Sequence, residues 1–135
     1  ISACAQSQED TTVTYTPATQ DQLLAIRVNA GIEELAQSEK FAAAEPDMVE
    51  AIVGGIGEFA AGEWAPLNRV GDLEGAKLEN GVVRLPGGFA EAYEHYVVQV
   101  RNAISGPVEF GGQGPPSTLR SHFLQNLVTA HLAFT

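Results

Sequence analysis

One cysteine, one methionine, one tryptophan, and seven lysines and arginines against seventeen aspartates and glutamates set the first limits on this 135-residue chain. A lone thiol at Cys4 allows no intrachain disulfide and no zinc site built from several thiolates. The shortage of cations leaves a net charge of -10. That balance offers no basic patch able to displace the counterions of a nucleic acid or to hold an anionic membrane surface, so neither is expected as a partner. It also disfavours anionic ligands unless cationic groups come from elsewhere. No apolar run approaches the ~20 residues that span a bilayer. The opening Ile1-Ser2-Ala3-Cys4 has the look of a lipoprotein cleavage box, but no basic and apolar segment precedes it. The likeness is taken as fortuitous, residues 1–14 as a disordered leader, and a cytoplasmic location as the expectation.

What is present is the composition of one globular domain over residues 15–135. Hydrophobic residues make up 44% and charged residues 18%, and a chain of this size buries roughly two-thirds of its unfolded surface. Tyr15-Thr16-Pro17 reads as an extended approach to a helix of about ten residues carrying Leu23, Leu24, Ile26 and Val28, which Gly31 terminates. A shorter helix over Glu33–Phe41 turns Leu35 and Phe41 inward. Pro46 and Asp47 open a third helix, with Met48, Ile52, Ile56 and Phe59 recurring on one face to about Gly62 or Trp64. Gly54, Gly55 and Gly57 within it each cost about 1 kcal/mol relative to alanine, which implies close approach of another helix. Residues 76–79, Asn80-Gly81 and residues 82–85 form a hairpin with a type I′ turn, which as a two-stranded unit must lean on the helices. Phe89, Tyr93, Tyr96, Val97 and Val100 line a helix running to about Ile104. A last helix from Ser117 places Leu119, Phe123, Leu127 and Ala130 on one face, with Leu124, Val128 and Leu132 beside it. The fold class is mainly α, with one small β-hairpin inserted between helices.

Few residues carry a chemical signal. Gly111-Gly112-Gln113-Gly114 precedes a helix whose free N–H groups suit an anion, but the glycine spacing is not that of a dinucleotide site, and Pro115 and Pro116 remove two donors. Glu91 and His95 share a helix face with Glu94 nearby, yet a metal needs a third ligand; solvated charge and a helix-supporting pair are the simpler reading. His122 and His131 lie nine apart, and His131 suits a partly buried ring bonded to backbone. Ser105, Ser117 and Ser121 show no nucleophile-elbow pattern. Glu33-Glu34 reads as an exposed helix start, and Phe89, Tyr93 and Tyr96 as core. No catalytic residue and no metal ligand is assigned.

Three anchors carry a resemblance over nearly all of residues 15–135. They are Tyr15-Thr16-Pro17 through Asp21-Gln22-Leu23, Ala65-Pro66-Leu67-Asn68-Arg69-Val70-Gly71-Asp72 continuing through the hairpin to Gly88-Phe89-Ala90-Glu91-Ala92-Tyr93, and Glu109-Phe110-Gly111-Gly112-Gln113-Gly114 with Ala130-His131-Leu132-Ala133-Phe134. Together they resemble the N-terminal helical region of the acyl-CoA dehydrogenases, in a bacterial subgroup that includes enzymes acting on 3-(methylthio)propanoyl-CoA. The resemblance implies a helical N-terminal domain that packs on a middle β domain and a C-terminal helical domain. It implies FAD held mainly by those other domains and a glutamate base beyond the region covered, so this chain alone has no cofactor and no catalytic residue. It makes Phe110, Gly111, Gly112, Gln113 and Gly114 a turn bordering the substrate cleft. The chain departs from the family pattern at Val100-Arg101-Asn102, where Gly-Trp-Asn is usual, at Pro115, where leucine is usual, and at His131, where asparagine is usual.

The expected function is that of an N-terminal domain or truncated product of such an enzyme. It would form one wall of the acyl pocket, pack on the remaining domains and be inactive alone. A self-associating helical module, a homodimer without enzymatic activity, is the alternative.

Overall fold

The computed structural model describes residues 14–42, 44–101 and 114–135, without the side chains of 99–101. Nearly all of the leader expected over 1–14 lies outside the described residues. Among the described residues the chain is mainly helical, with one two-stranded sheet, in keeping with its patterning.

Residues 14–18 carry no regular structure and lead into α1, Thr19–Val28, whose first turn carries Asp21 and whose last carries Arg27, both favourable to the helix dipole. Leu23 and Ile26 are buried, whereas Leu24 and Val28 face solvent. The helix closes at Asn29, whose N–H donates to the Ala25 carbonyl. Gly31, read from sequence as its terminator, instead caps the start of α2 (Ile32–Leu35). The expected helix over Glu33–Phe41 is thus two pieces, α2 and a 3-10 turn at Glu39–Phe41. Ile32 is the residue it buries deepest, with Leu35 and Phe41 packed beside it.

Helix α3, Pro46–Phe59, has proline in its first turn and Asp47 behind it, the arrangement that removes an N–H with no partner to lose. Its inward stripe is Val49, Val53, Ile56 and Phe59. Met48, assigned to that stripe from sequence, is exposed, and Ile52 is half-buried. The helix passes without a break through a π turn, Ala60–Trp64, into α4, Ala65–Glu74. Strands β1 (Lys77–Glu79) and β2 (Val82–Arg84) pair antiparallel, Lys77 opposite Arg84 and Leu78 opposite Val83. Asn80 and Gly81 both have positive φ, 52° and 80°, as a type I′ turn demands. Helix α5, Phe89–His95, runs on in a π turn, Tyr96–Arg101. Helix α6, Ser117–Ala130, is followed by a 3-10 turn at Leu132–Phe134.

Two core clusters share α3 and α6. One gathers Ile56, Phe59, Trp64, Ala92, Phe123 and Leu127; the other gathers Leu23, Ile26, Ile32, Val49, Val53 and Leu119. The stripe expected on α6 (Leu119, Phe123, Leu127, Ala130) is the buried one. A polar knot ties the start of the chain to that helix. The Tyr15 hydroxyl donates to Asn126 Oδ1 at 3.0 Å, and the Gln22 and Asn126 amides exchange two hydrogen bonds at 3.2 and 3.1 Å.

Among the described residues the hairpin leans little on the helices. All six of its strand residues are exposed. Among the described residues no helix is long and apolar enough to cross a membrane.

The three glycines of α3 do not share one reason. A Cβ on Gly57 would sit 2.9 Å from Pro17 Cβ and 3.3 Å from Thr19 Oγ1, so what approaches closely is the lead-in to α1 together with that helix's first residue. Nothing lies within 4 Å of a Cβ built on Gly54 or Gly55. Gly54→Ala is therefore expected to stabilise the chain by about 1 kcal/mol through helix propensity. Gly57→Ala is expected to destabilise it by about 1–2 kcal/mol through overpacking against Pro17. Urea midpoints of the two variants, opposite in sign, check both.

Candidate functional site

Beyond the π turn, α4 carries Asn68, Gly71 and Asp72 along one side. They form one wall of an open cleft of about 280 Å³, closed by Gly75 and Ala76, by Leu85 and Pro86 after the hairpin, by Phe89 at the start of α5, and by His131 and Ala133 after α6. Local sequence explains each placement. Gly71 lets α4 approach the aromatic side chains: a Cβ there would stand 3.0 Å from Phe89 Cζ and 3.4 Å from His131 Nε2. Gly88, at φ 88°, starts α5 in a left-handed conformation that a side chain resists. It brings Phe89 edge-on to His131, ring centroids 5.5 Å apart at 84°. Phe134 packs against both, 4.7 Å from Phe89 and 5.7 Å from His131. The walls are thus apolar and aromatic, with Asn68 and Asp72 exposed at the rim. The Asp72 carboxylate accepts from Arg69 at 3.4 Å across solvent-exposed side chains, a contact worth little to stability.

His131 is only 2% exposed, and neither ring nitrogen meets a hydrogen-bond partner among the described residues. The expected partly buried, backbone-bonded ring is therefore a buried one with no hydrogen-bond partner among the described residues. Burial pushes its imidazole below its usual range; the neighbouring backbone of Leu67 and of His131 itself opposes that shift without reaching hydrogen-bonding geometry. A lowered histidine pKa means that the folded chain prefers the neutral ring. Stability is fully present above 6.5, the unperturbed value, and is lost as the pH falls from there through the folded-state pKa, because the unfolded chain takes the proton first. The urea midpoint of the wild type is expected to drop between about pH 7 and pH 5 more steeply than that of His131→Phe, which keeps an aromatic ring but cannot titrate. Parallel pH profiles would exclude His131 as the source.

The other residues singled out from sequence do not converge on this cleft. Of the turn Phe110–Gly114, only Gly114 is described. It has φ 62° and precedes Pro115 and Pro116 at the start of α6; Phe110, Gly111, Gly112 and Gln113 lie outside the described residues, as do Cys4, Ser105 and Glu109. His95 pairs with Glu63 of the π turn, Nδ1 to Oε2 at 3.2 Å, and not with Glu91 on its own helix. The two groups are 32 residues apart, so helical spacing gave no hint of the pair. His122 Nδ1 lies 3.2 Å from Gln125 Oε1, and the Ser121 hydroxyl donates to the Ser117 carbonyl. Glu33 and Glu34 are exposed at the start of α2. Among the described residues no three His, Cys, Asp or Glu side chains gather as a metal site would require. Of the aromatics read as core, Phe89 is buried and Tyr96 half-buried, but Tyr93 is exposed. The sequence patterning assigns no helix to residues 65–74, so it does not mark the cleft; Pro66 stands in the first turn of α4, where proline is tolerated.

The chain matches none of the known protein-family models. It is 31% identical over 122 residues, 90% of its length, to the 3-methylmercaptopropionyl-CoA dehydrogenase of Ruegeria pomeroyi. The match covers 21% of that protein, so the chain spans about a fifth of the length of the curated relative it resembles.

Proposed function

We propose that this chain is the N-terminal α-helical part of a flavin-dependent acyl-CoA dehydrogenase, forming one wall of the acyl pocket and packing on the rest of the enzyme. The observation that carries the reading is the 31% identity sustained over 90% of the chain, and the mainly helical fold with a single hairpin accords with it. The turn Phe110–Gly114 is the part that borders the substrate in this reading.

The flavin and the glutamate base belong to the remaining four-fifths. The chemistry of the described cleft supports that division: its lining includes Asp72 and no lysine or arginine, the wrong complement for a pyrophosphate. No step of the dehydrogenation is therefore assigned to residues of this chain; their part is to shape and exclude water from an acyl site completed by others.

The test is a chimera in which residues 15–135 replace the matching stretch of the Ruegeria enzyme. It is expected to bind flavin and to oxidise 3-methylmercaptopropionyl-CoA with an added electron acceptor. The isolated chain is expected to do neither. A flavin-loaded chimera that turns over no acyl-CoA, or turnover by the isolated chain, overturns the proposal.

A further inference from the structure

The pair that closes the hairpin carries a chemistry that its role as a turn does not use. Asn80 is followed by Gly81, and both have positive φ, 52° and 80°. A two-residue turn of this type selects that pair, because few others tolerate such angles in succession. The same pair is one in which a backbone nitrogen readily attacks the side chain before it, since the Gly81 amide has no Cβ beside it to hinder approach to the Asn80 carboxamide. Both residues are exposed, and nothing lies within 4 Å of where a Cβ on Gly81 would stand. The strand residues on either side are exposed too, and a two-stranded unit with so little cover opens readily. Opening releases the turn angles and lets the Asn80 side chain swing over its own backbone. The other asparagines among the described residues each lack one of these conditions. Asn29 is followed by Ala30, Asn68 lies inside α4 before Arg69, and Asn126 is buried in α6.

We infer that Asn80 is a site of spontaneous covalent modification, at which the side-chain amide is lost through a cyclic imide formed with Gly81. The Gly81 nitrogen bonds to Asn80 Cγ, the Cγ–Nδ2 bond breaks, and ammonia leaves with the proton that Gly81 gave up. Water then opens the ring. Attack at the side-chain carbonyl leaves aspartate; attack at the main-chain carbonyl leaves isoaspartate, whose backbone runs through the side-chain methylene. Neither step needs an oxidant or any reactant besides water. Isoaspartate lengthens a turn that joins the paired Glu79 and Val82 through only two residues, so the hairpin loses its register. Either product sets a new carboxylate beside Glu79 on a chain already at -10. The change reaches the cleft, because Ala76 precedes β1, and Leu85 and Pro86 follow β2, in its wall.

The experiment ages the full chain in warm neutral buffer and follows it by peptide mapping. Trypsin frees residues 78–84 between Lys77 and Arg84, and fragmentation of that peptide in the mass spectrometer tells aspartate from isoaspartate. Asn80 is expected to lose its amide at least tenfold faster than Asn29 or Asn68, with isoaspartate among the products. The rate is expected to rise about tenfold when the buffer is made one pH unit more alkaline, as attack by a deprotonated backbone nitrogen demands. A free peptide of residues 78–84 supplies the rate without a fold, and the folded chain is expected to come within tenfold of it. A chain slower than that overturns the inference, because the turn then holds the reacting groups apart. Aspartate without isoaspartate also overturns it, since the amide is then hydrolysed without passing through the ring. In the free peptide, where folding plays no part, Gly81→Ala is expected to slow the loss severalfold or more; an unchanged rate would remove Gly81 from the step. Nuclear Overhauser contacts between Glu79 and Val82, present in the fresh chain, are expected to vanish from the isoaspartyl form, and their persistence would overturn the loss of register. None of these outcomes bears on the dehydrogenase reading, which the chimera tests separately.

Discussion

Trp64→Ala is expected to destabilise the chain by about 3–5 kcal/mol, the range for deleting a buried large aromatic. Trp64 is the only tryptophan and joins the two halves of the aromatic core. Its ring centroid lies 4.6 Å from that of Phe134, 5.6 Å from Tyr96 and 6.2 Å from Phe59. It stands on the π turn that carries α3 into α4, where the extra residue per turn re-aims the side chains that follow. Domains of this size hold roughly 5–15 kcal/mol of stability, so the loss is a large part of the total. Trp64→Phe is expected to cost under about 2 kcal/mol. The indole N–H is buried with no acceptor among the described residues, and removing an unpaired donor offsets part of the lost packing. Both variants lack the tryptophan fluorophore, so urea unfolding followed by far-ultraviolet circular dichroism is the measurement. Equal damage from the two would mean that the indole N–H has a partner in the protein.

Asn126→Ala is expected to cost about 3 kcal/mol, by a different mechanism. Asn126 is buried, accepts from both Tyr15 and Gln22, and donates to Gln22. Without it the equally buried Gln22 amide keeps neither bond, and each buried polar group left unpaired costs about 1–3 kcal/mol. The double variant Gln22→Leu with Asn126→Leu is expected to recover much of that loss, because exchanging both partners for apolar groups leaves only the Tyr15 hydroxyl to be satisfied. That hydroxyl retains Thr129, whose Oγ1 lies 3.2 Å from it. A double variant less stable than Asn126→Ala would show that the pair is not the source of the effect. The consequence reaches beyond stability. The knot, with the Pro17–Gly57 contact, holds residues 15–17 on the helices, and these residues open the first stretch of resemblance to the dehydrogenases.

The two positions differ in how far they could be read in advance. On α6 the stripe Leu119, Phe123, Leu127 and Ala130 was legible, because apolar residues recur there at helical spacing and the period alone selects the buried side. Asn126 lies next to that stripe and looks like any polar residue at its border; only Gln22 and Tyr15, more than a hundred residues earlier, make it core. On α3 the period was equally clear, but Met48 and Val49, then Ile52 and Val53, offer two neighbouring stripes. Packing against α1 and α6 selected Val49 and Val53. The hairpin turn was legible in Asn80-Gly81, since few residues tolerate positive φ twice in succession. Where its apolar face points was not.

The cleft was the least legible part. Its walls come from five places in the chain, and what brings them together is the fit of Phe89 and His131 against the bare backbone of Gly71. By itself the sequence determined the mainly helical class, the single hairpin with its turn chemistry, the lone cysteine and the net charge of -10. These follow from local φ/ψ preference, periodicity and charge, which act over a few residues or over the whole sum. The tertiary structure alone decided which of two stripes on α3 is buried, that Asn126 and His131 lose their water, and that the strands of the hairpin are exposed among the described residues. Each of those depends on which distant surface arrives, and burial is set by the neighbours that arrive rather than by the residue that receives them.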